Sequence, residues 1–228
     1  MSVVLENASS DLRLSTSKIE TYQKKGYIIL KDFITHEISK DLLYALIKIL
    51  KKYNPLFPGD LLKCSSWDDP KLTDELISFR SKEPQLFGIF YDALQNSTIL
   101  QALFTQYDLI NVVGQLLDDD EKTISSTGHM LRIDVPKDTR NILAWHQDSA
   151  YYIQNQASEN GCVVLLPLVD LFPENGTLKL LEGSQNESTL EHKLGSSNSE
   201  HTSEKFEVPE SIVNKYSEID LYANKGDL

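Results

Sequence analysis

Cysteine is scarce in this chain of 228 residues: Cys64 and Cys162 are the only two, and they form no C-x-x-C pair. Neither a disulfide framework nor a structural zinc site is expected from them. Long apolar runs are missing as well, since nothing approaches the roughly 20 residues of a membrane span. The N-terminal MSVVLENASSDLRLS has neither the basic start nor the apolar stretch of a signal peptide. A reducing cytoplasm is therefore the expected setting, and Asn-x-Ser/Thr matches such as Asn96-Ser97-Thr98 carry no weight. Basic residues are also in deficit, with 22 Lys and Arg against 34 Asp and Glu, a net charge of -12. Binding to nucleic acid is not expected, because neutralising phosphates needs clustered cations. Attraction to an anionic membrane surface is disfavoured for the same reason. No internal repeat is visible.

What remains is the composition of an ordinary globular domain, 40% hydrophobic and 25% charged. The length suits one domain spanning residues 1–228. Its character changes near residue 120: residues 1–120 read as mainly helical and 121–228 as strands. Over 35–53, Ile38, Leu42, Leu43, Leu46, Ile47 and Leu50 recur at spacings of three and four, which predicts an amphipathic helix. Thr35 suits its N-cap and Asn54-Pro55 its stop. Residues 26–30 read as a short buried strand entered through Gly26. Two or three further helices are expected over 71–117, punctuated by Gly88 and the residues around Asn96. After Asp118-Asp119-Asp120-Glu121, strands are predicted at 130–135, 162–169, 177–181 and 206–208. Turns are expected at Val135-Pro136-Lys137-Asp138, Pro173-Glu174-Asn175-Gly176 and Glu182-Gly183-Ser184. The polar stretch 185–203 reads as a surface loop, either an active-site lid or a disordered insertion. Helices first and strands afterwards predict an α+β fold, with a closed or sandwiched antiparallel sheet in the second half.

The chemically informative segment is Trp145-His146-Gln147-Asp148. A His and an Asp two apart on an extended segment point to the same face, so both can reach one metal. Imidazole plus carboxylate suits iron(II). With a second His from elsewhere they complete a facial triad that leaves positions open for a cosubstrate and oxygen. Alone, H-x-D is a weak signal, and a surface His beside a solvated Asp is the competing reading.

Context adds to it. Met130-Leu131-Arg132-Ile133-Asp134-Val135-Pro136 precedes the segment and Tyr151-Tyr152 follows it. Further on come Pro167-Leu168-Val169-Asp170, Glu174-Asn175-Gly176-Thr177-Leu178 and Glu182-Gly183-Ser184, and near the start stands Gly26-Tyr27-Ile28-Ile29-Leu30-Lys31-Asp32-Phe33-Ile34. This ordered set resembles the phytanoyl-CoA dioxygenase family, with its HQD, "pLvD", "eNG-x-L", "PGSH" and N-terminal "GY-x-v-l-x-d-f" elements. The resemblance runs from about residue 20 to the end of the chain. It implies a double-stranded β-helix (a jelly roll, or cupin-like barrel) with the N-terminal helices packed outside. It implies Fe(II) as metal and 2-oxoglutarate as cosubstrate, decarboxylated to succinate and CO2 as a ferryl oxidant forms and abstracts hydrogen from a small organic substrate. His146 and Asp148 fall on the iron-ligand positions. Tyr151 would line the mouth of the site, and Arg132, Asp134 and Gln147 would lie near cosubstrate or substrate.

The sequence departs from the family pattern in two places. Glu182-Gly183-Ser184-Gln185 stands where "PGSH" is usual, although that turn His is not a ligand. Asn224-Lys225-Gly226-Asp227-Leu228 resembles the "kGD" turn that precedes the distal iron-binding His, which places that ligand beyond residue 228. The expectation is thus an incomplete barrel whose last strands are missing: a fragment, or a chain completed by a second one. His192 and His201 are expected in the polar loop, His129 as a structural residue and His36 at the surface. Asp118–Glu121 is read as a solvated turn, Cys162 as a small buried hydrophobe and Trp145 as packed beside its strand. Lys63 and Arg80 could reach the barrel mouth, but no pattern places them there. The alternative function is a non-catalytic barrel protein or inactive remnant of such an oxygenase. A cupin-like metalloenzyme would cluster more histidines on adjacent strands than this chain has.

Overall fold

A computed structural model of the chain describes residues 12–126, 128–135, 143–151, 160–190, 193–194 and 206–228. Six helices come first: α1 (Thr16–Lys25), α2 (His36–Tyr53), α3 (Pro70–Lys82), α4 (Pro84–Gln95), α5 (Thr98–Phe104) and α6 (Tyr107–Leu117). Helix α2 begins where its sequence says it should: the Thr35 side chain accepts from the Ile38 N–H, and the helix ends at Asn54. Leu42, Leu43, Leu46, Ile47 and Leu50 are all buried on one face. Against that face pack α4 and α5, and α3 packs on α4, where Phe79, Phe87 and Phe90 form a triangle with ring centroids 5.5–6.0 Å apart. Helices α3 and α4 each start on a proline, where the missing N–H costs nothing.

Two details of this layer differ from the sequence expectation. Residues 71–117 hold four helices rather than two or three, because Ser97 and Gln106 adopt extended backbone and cut out α5 as a seven-residue piece. Gly88 lies inside α4 and punctuates nothing. Its cost of about 1 kcal/mol relative to Ala is offset by the burial of Phe87, Phe90 and Leu94 beside it.

Among the described residues after α6, short strands and single turns take the place of long helices. Strand β1 (Lys179–Glu182) pairs antiparallel with β4 (Ser217–Asp220), after β2 (Lys193–Leu194), β3 (Phe206–Glu207) and the short helix α7 (Glu210–Val213). The β1–β4 pairing continues through Leu221 N–H to Leu178 O at 2.9 Å and an isolated bridge between Leu171 and Ala223. Strands β2 and β3 pair with each other. Gly26 caps α1 at φ +86°, and a Cβ there would run into the Gln185 side chain. The strand expected at 26–30 is not formed, although Leu30 exchanges both backbone hydrogen bonds with Leu228 (2.8 and 2.9 Å). Leu14, Leu30 and Val112 form a second buried cluster, packed by Ile28, Phe33, Leu116 and Leu228.

The expected jelly roll does not appear as a closed barrel: among the described residues the strands make two two-stranded sheets. The predicted strands at 177–181 and 206–208 correspond to β1 and β3, while 130–135 and 162–169 carry no ladder. The physical reason is visible at Leu131, whose N–H donates to Gln95 Oε1 (2.7 Å) and whose C=O accepts from Gln95 Nε2 (2.9 Å). A side chain takes the place of a neighbouring strand. Both segments nevertheless lie on the helical layer, with Leu131, Ile133, Leu166 and Leu168 packed on its core. The predicted turn at Pro136-Lys137-Asp138, Tyr152, His192, His201 and most of the polar stretch fall outside the described residues.

Candidate metal centre

The segment 143–151 begins extended. Gln147 holds φ −103° and ψ 139°, and Asp148–Ala150 then form a single 3-10 turn closed by Tyr151 N–H to Asp148 O at 2.9 Å. The extended stretch puts His146 and Asp148 on one side: His146 Nε2 lies 3.3 Å from Asp148 Oδ1. The turn brings Tyr151 back onto the imidazole, ring centroids 5.2 Å apart and planes at 89°. On the other side of the ring, His146 Nδ1 is 2.7 Å from Ala144 O. A carbonyl only accepts, so Nδ1 carries a proton and Nε2 is the atom presented to Asp148. The hydrogen bond to the Asp148 carboxylate raises the His146 pKa above the ordinary imidazole value. Partial burial opposes that rise, and the Ala144 carbonyl supports it.

This separation suits two donors to one metal ion. Ligand atoms at bond lengths near 2.1 Å and right angles sit about 3 Å apart. Tethering of Nδ1 by a backbone carbonyl is the usual way a ligating imidazole is fixed in orientation and tautomer. These residues therefore fit an iron(II) ion as two of its ligands. Among the described residues no group of three or more His, Cys, Asp or Glu is assembled around one point.

The other sequence candidates fall in two places. On 130–135, Leu131 and Ile133 face the helices, so alternation turns Arg132 and Asp134 to the opposite face, where they pair at 3.1 Å. Arg80 reaches the same segment, with Nη1 3.5 Å from Ile133 O. Gln147 donates from Nε2 to Ser188 O (3.2 Å) and accepts at Oε1 from Leu190 N–H (2.8 Å). His129 is exposed, and its ring lies tilted by 43° against Phe104 at 5.3 Å. Cys162 is half-buried beside Tyr22, whose phenol is pushed up to about 12, chiefly by burial. A cavity of about 330 Å³ at the end of α6 is lined by Asp118, Asp119, Asp120 and Glu121. Two of these carboxylates are engaged locally: Asp119 accepts from Asp120 N–H and the Thr123 hydroxyl, and Asp120 from Lys122 N–H.

Asp227 was not singled out from the sequence, and it is 1% exposed. Its carboxylate takes Lys31 Nζ at 2.6 Å, Asp32 N–H at 3.2 Å and Asn224 N–H at 2.8 Å. Burial alone would raise its pKa, but these donors hold it below the usual carboxylate range. The Lys-Gly-Asp spelling of the turn was the available signal. Its partner Asp32, in the left-handed region at φ 53°, stands in the equally recognisable Lys31-Asp32-Phe33 element.

No curated protein and no solved structure matches this chain. Across residues 22–228 it matches the phytanoyl-CoA dioxygenase (PhyH) family model. That family has a cupin-like fold and is known for Fe(II)/2-oxoglutarate-dependent oxygenases. The chain belongs to the phytanoyl-CoA dioxygenase family.

Proposed function

We propose that this protein is an Fe(II)- and 2-oxoglutarate-dependent oxygenase that hydroxylates a small organic molecule, built on a double-stranded β-helix within one domain. The observation that carries this reading is the convergence of His146 Nε2 and Asp148 Oδ1 to 3.3 Å, with Nδ1 tied to Ala144. His146 and Asp148 supply two ligands of a facial triad, and the third comes from outside the described residues. When bound, iron(II) supplies the reductive activation of oxygen coupled to decarboxylation of the cosubstrate. The protein's part is to orient and exclude. Ala144 fixes the imidazole tautomer, and the Tyr151 ring holds its edge and narrows access beside the ligands. Arg132 offers a guanidinium fork suited to a carboxylate of cosubstrate or substrate, with Asp134 holding it in orientation.

An anaerobic iron(II) titration in the presence of 2-oxoglutarate tests this. The wild-type chain should take up one ion, and His146→Ala should weaken that uptake at least about tenfold. Equal uptake by both proteins would remove the ligand assignment and leave the non-catalytic barrel as the better reading.

A further inference from the structure

Gln147 stands between the two proposed ligands, and extended backbone turns its side chain to the face opposite theirs. There its amide engages the backbone of 188–190 as one residue of a β-ladder would, donating to one C=O and accepting from the N–H two residues on. The same device recurs on α6, where Gln115 donates to Leu12 O (2.9 Å) and accepts from Leu14 N–H (2.8 Å).

The segment that Gln147 grips is anchored along its whole described length. Gly183 N–H donates to Lys25 O (3.0 Å), and Gln185 Nε2 donates to Gln23 O (2.8 Å). The Glu187 carboxylate accepts from the Tyr216 hydroxyl (2.7 Å) and from Lys215 Nζ (3.2 Å). Residues 183–190 thus form a strap fastened to α1 at one end, to the turn before β4 in the middle, and to Gln147 at the other end. Of these fastenings, the Gln147 one lies on the ligand segment itself.

We propose that Gln147 is a positioning residue. By clamping Ser188 and Leu190 it fixes the backbone between His146 and Asp148, and it holds the strap as a wall behind the metal centre. Both atoms of its amide bond protein backbone, which ties the residue between the two ligands to the strap. Glutamate at this position would keep the acceptor for Leu190 but lose the donor to Ser188, and it would add a charge next to Asp148. The inference rests on His146 and Asp148 being ligands, and its test separates the two ideas.

Hydrogen exchange at the Leu190 amide is measured by NMR on the full chain, alongside cobalt(II) affinity read from the ligand-field absorption of the bound ion. Gln147→Ala and Gln147→Met are compared with wild type; the methionine keeps the bulk should alanine fail to fold. Tyr216→Phe, which loosens the strap at Glu187, is the control for a purely structural loss. The expected result is Leu190 exchange about fivefold faster in either Gln147 variant, the size one net hydrogen bond supports. Cobalt(II) binding should be about tenfold weaker, and Tyr216→Phe should change neither reading. Unchanged Leu190 exchange in Gln147→Met overturns the clamp. Faster exchange with unaltered cobalt(II) affinity overturns the positioning role. A wild-type chain that does not bind cobalt(II), yet shows the exchange effect, overturns the ligand assignment and leaves the clamp supported.

Discussion

The helices between Thr16 and Leu117 satisfy their own backbones, whereas the extended segments borrow partners from side chains. In the helical layer the ladder is internal, and the ends are closed by local caps such as Ser15, Thr35 and Asp69. In the extended half, Gln95 serves Leu131, Gln147 serves 188–190 and Asp227 serves Asp32 and Asn224. Asn175 does the same for Phe172 N–H and Asp170 O. The two halves should therefore fail differently. Truncations in the helical core lose packing in proportion to volume, while in the extended half one polar side chain can release a whole segment.

The largest effect is expected in the core. Phe90 is 0% exposed, and Phe90→Ala should cost about 3–5 kcal/mol in urea unfolding, with the change spread over the helical layer. Gln95→Ala removes both partners of the buried Leu131 backbone and should cost about 2 kcal/mol. Amide exchange should show that loss concentrated on 130–135, and a uniform loss across the helices would erase the contrast between the halves. Asp227→Asn follows, at about 1–2 kcal/mol near neutral pH. The Asp227 pKa is lower in the folded chain than in the unfolded one, so its stabilisation is complete above the unfolded value of about 3.9. It fades as pH falls through the lower folded value. The gap in melting temperature between wild type and Asp227→Asn should accordingly narrow in acid, and a constant gap would contradict the assignment. At the small end, the exposed Lys71–Asp60 pair at 2.8 Å should prove dispensable, Lys71→Ala leaving the melting temperature unchanged.

The same contrast explains what was legible in the sequence. Helix α2, its Thr35 cap and its Asn54 stop could be read because all three signals are local and repeat every three to four residues. The break that isolates α5 was partly missed, since Ser97 and Gln106 are ordinary polar residues until the backbone around them is known. The segment 130–135 reads as a strand, and in the structure Leu131 and Ile133 pack on the helical core while Arg132 and Asp134 pair with each other. That reading could not say that Gln95, 36 residues away, would supply the hydrogen bonds. At the candidate site, the closeness of His146 and Asp148 to each other was legible because spacing of two on extended backbone is itself a geometric statement. Gln147 reads as lying near cosubstrate or substrate, not as a partner of the backbone. Its partner segment lies 41–43 residues further on, and an amide that binds backbone leaves no pattern in sequence.

The central claim is that His146 presents Nε2 to a metal while Nδ1 stays protonated on Ala144. The most direct measurement is the ¹⁵N NMR spectrum of the His146 ring during titration with zinc(II), a diamagnetic stand-in for iron(II). A large shift confined to Nε2, with Nδ1 still bearing its proton, is the predicted result. A ring that does not respond, or one that takes the ion through Nδ1, would contradict it.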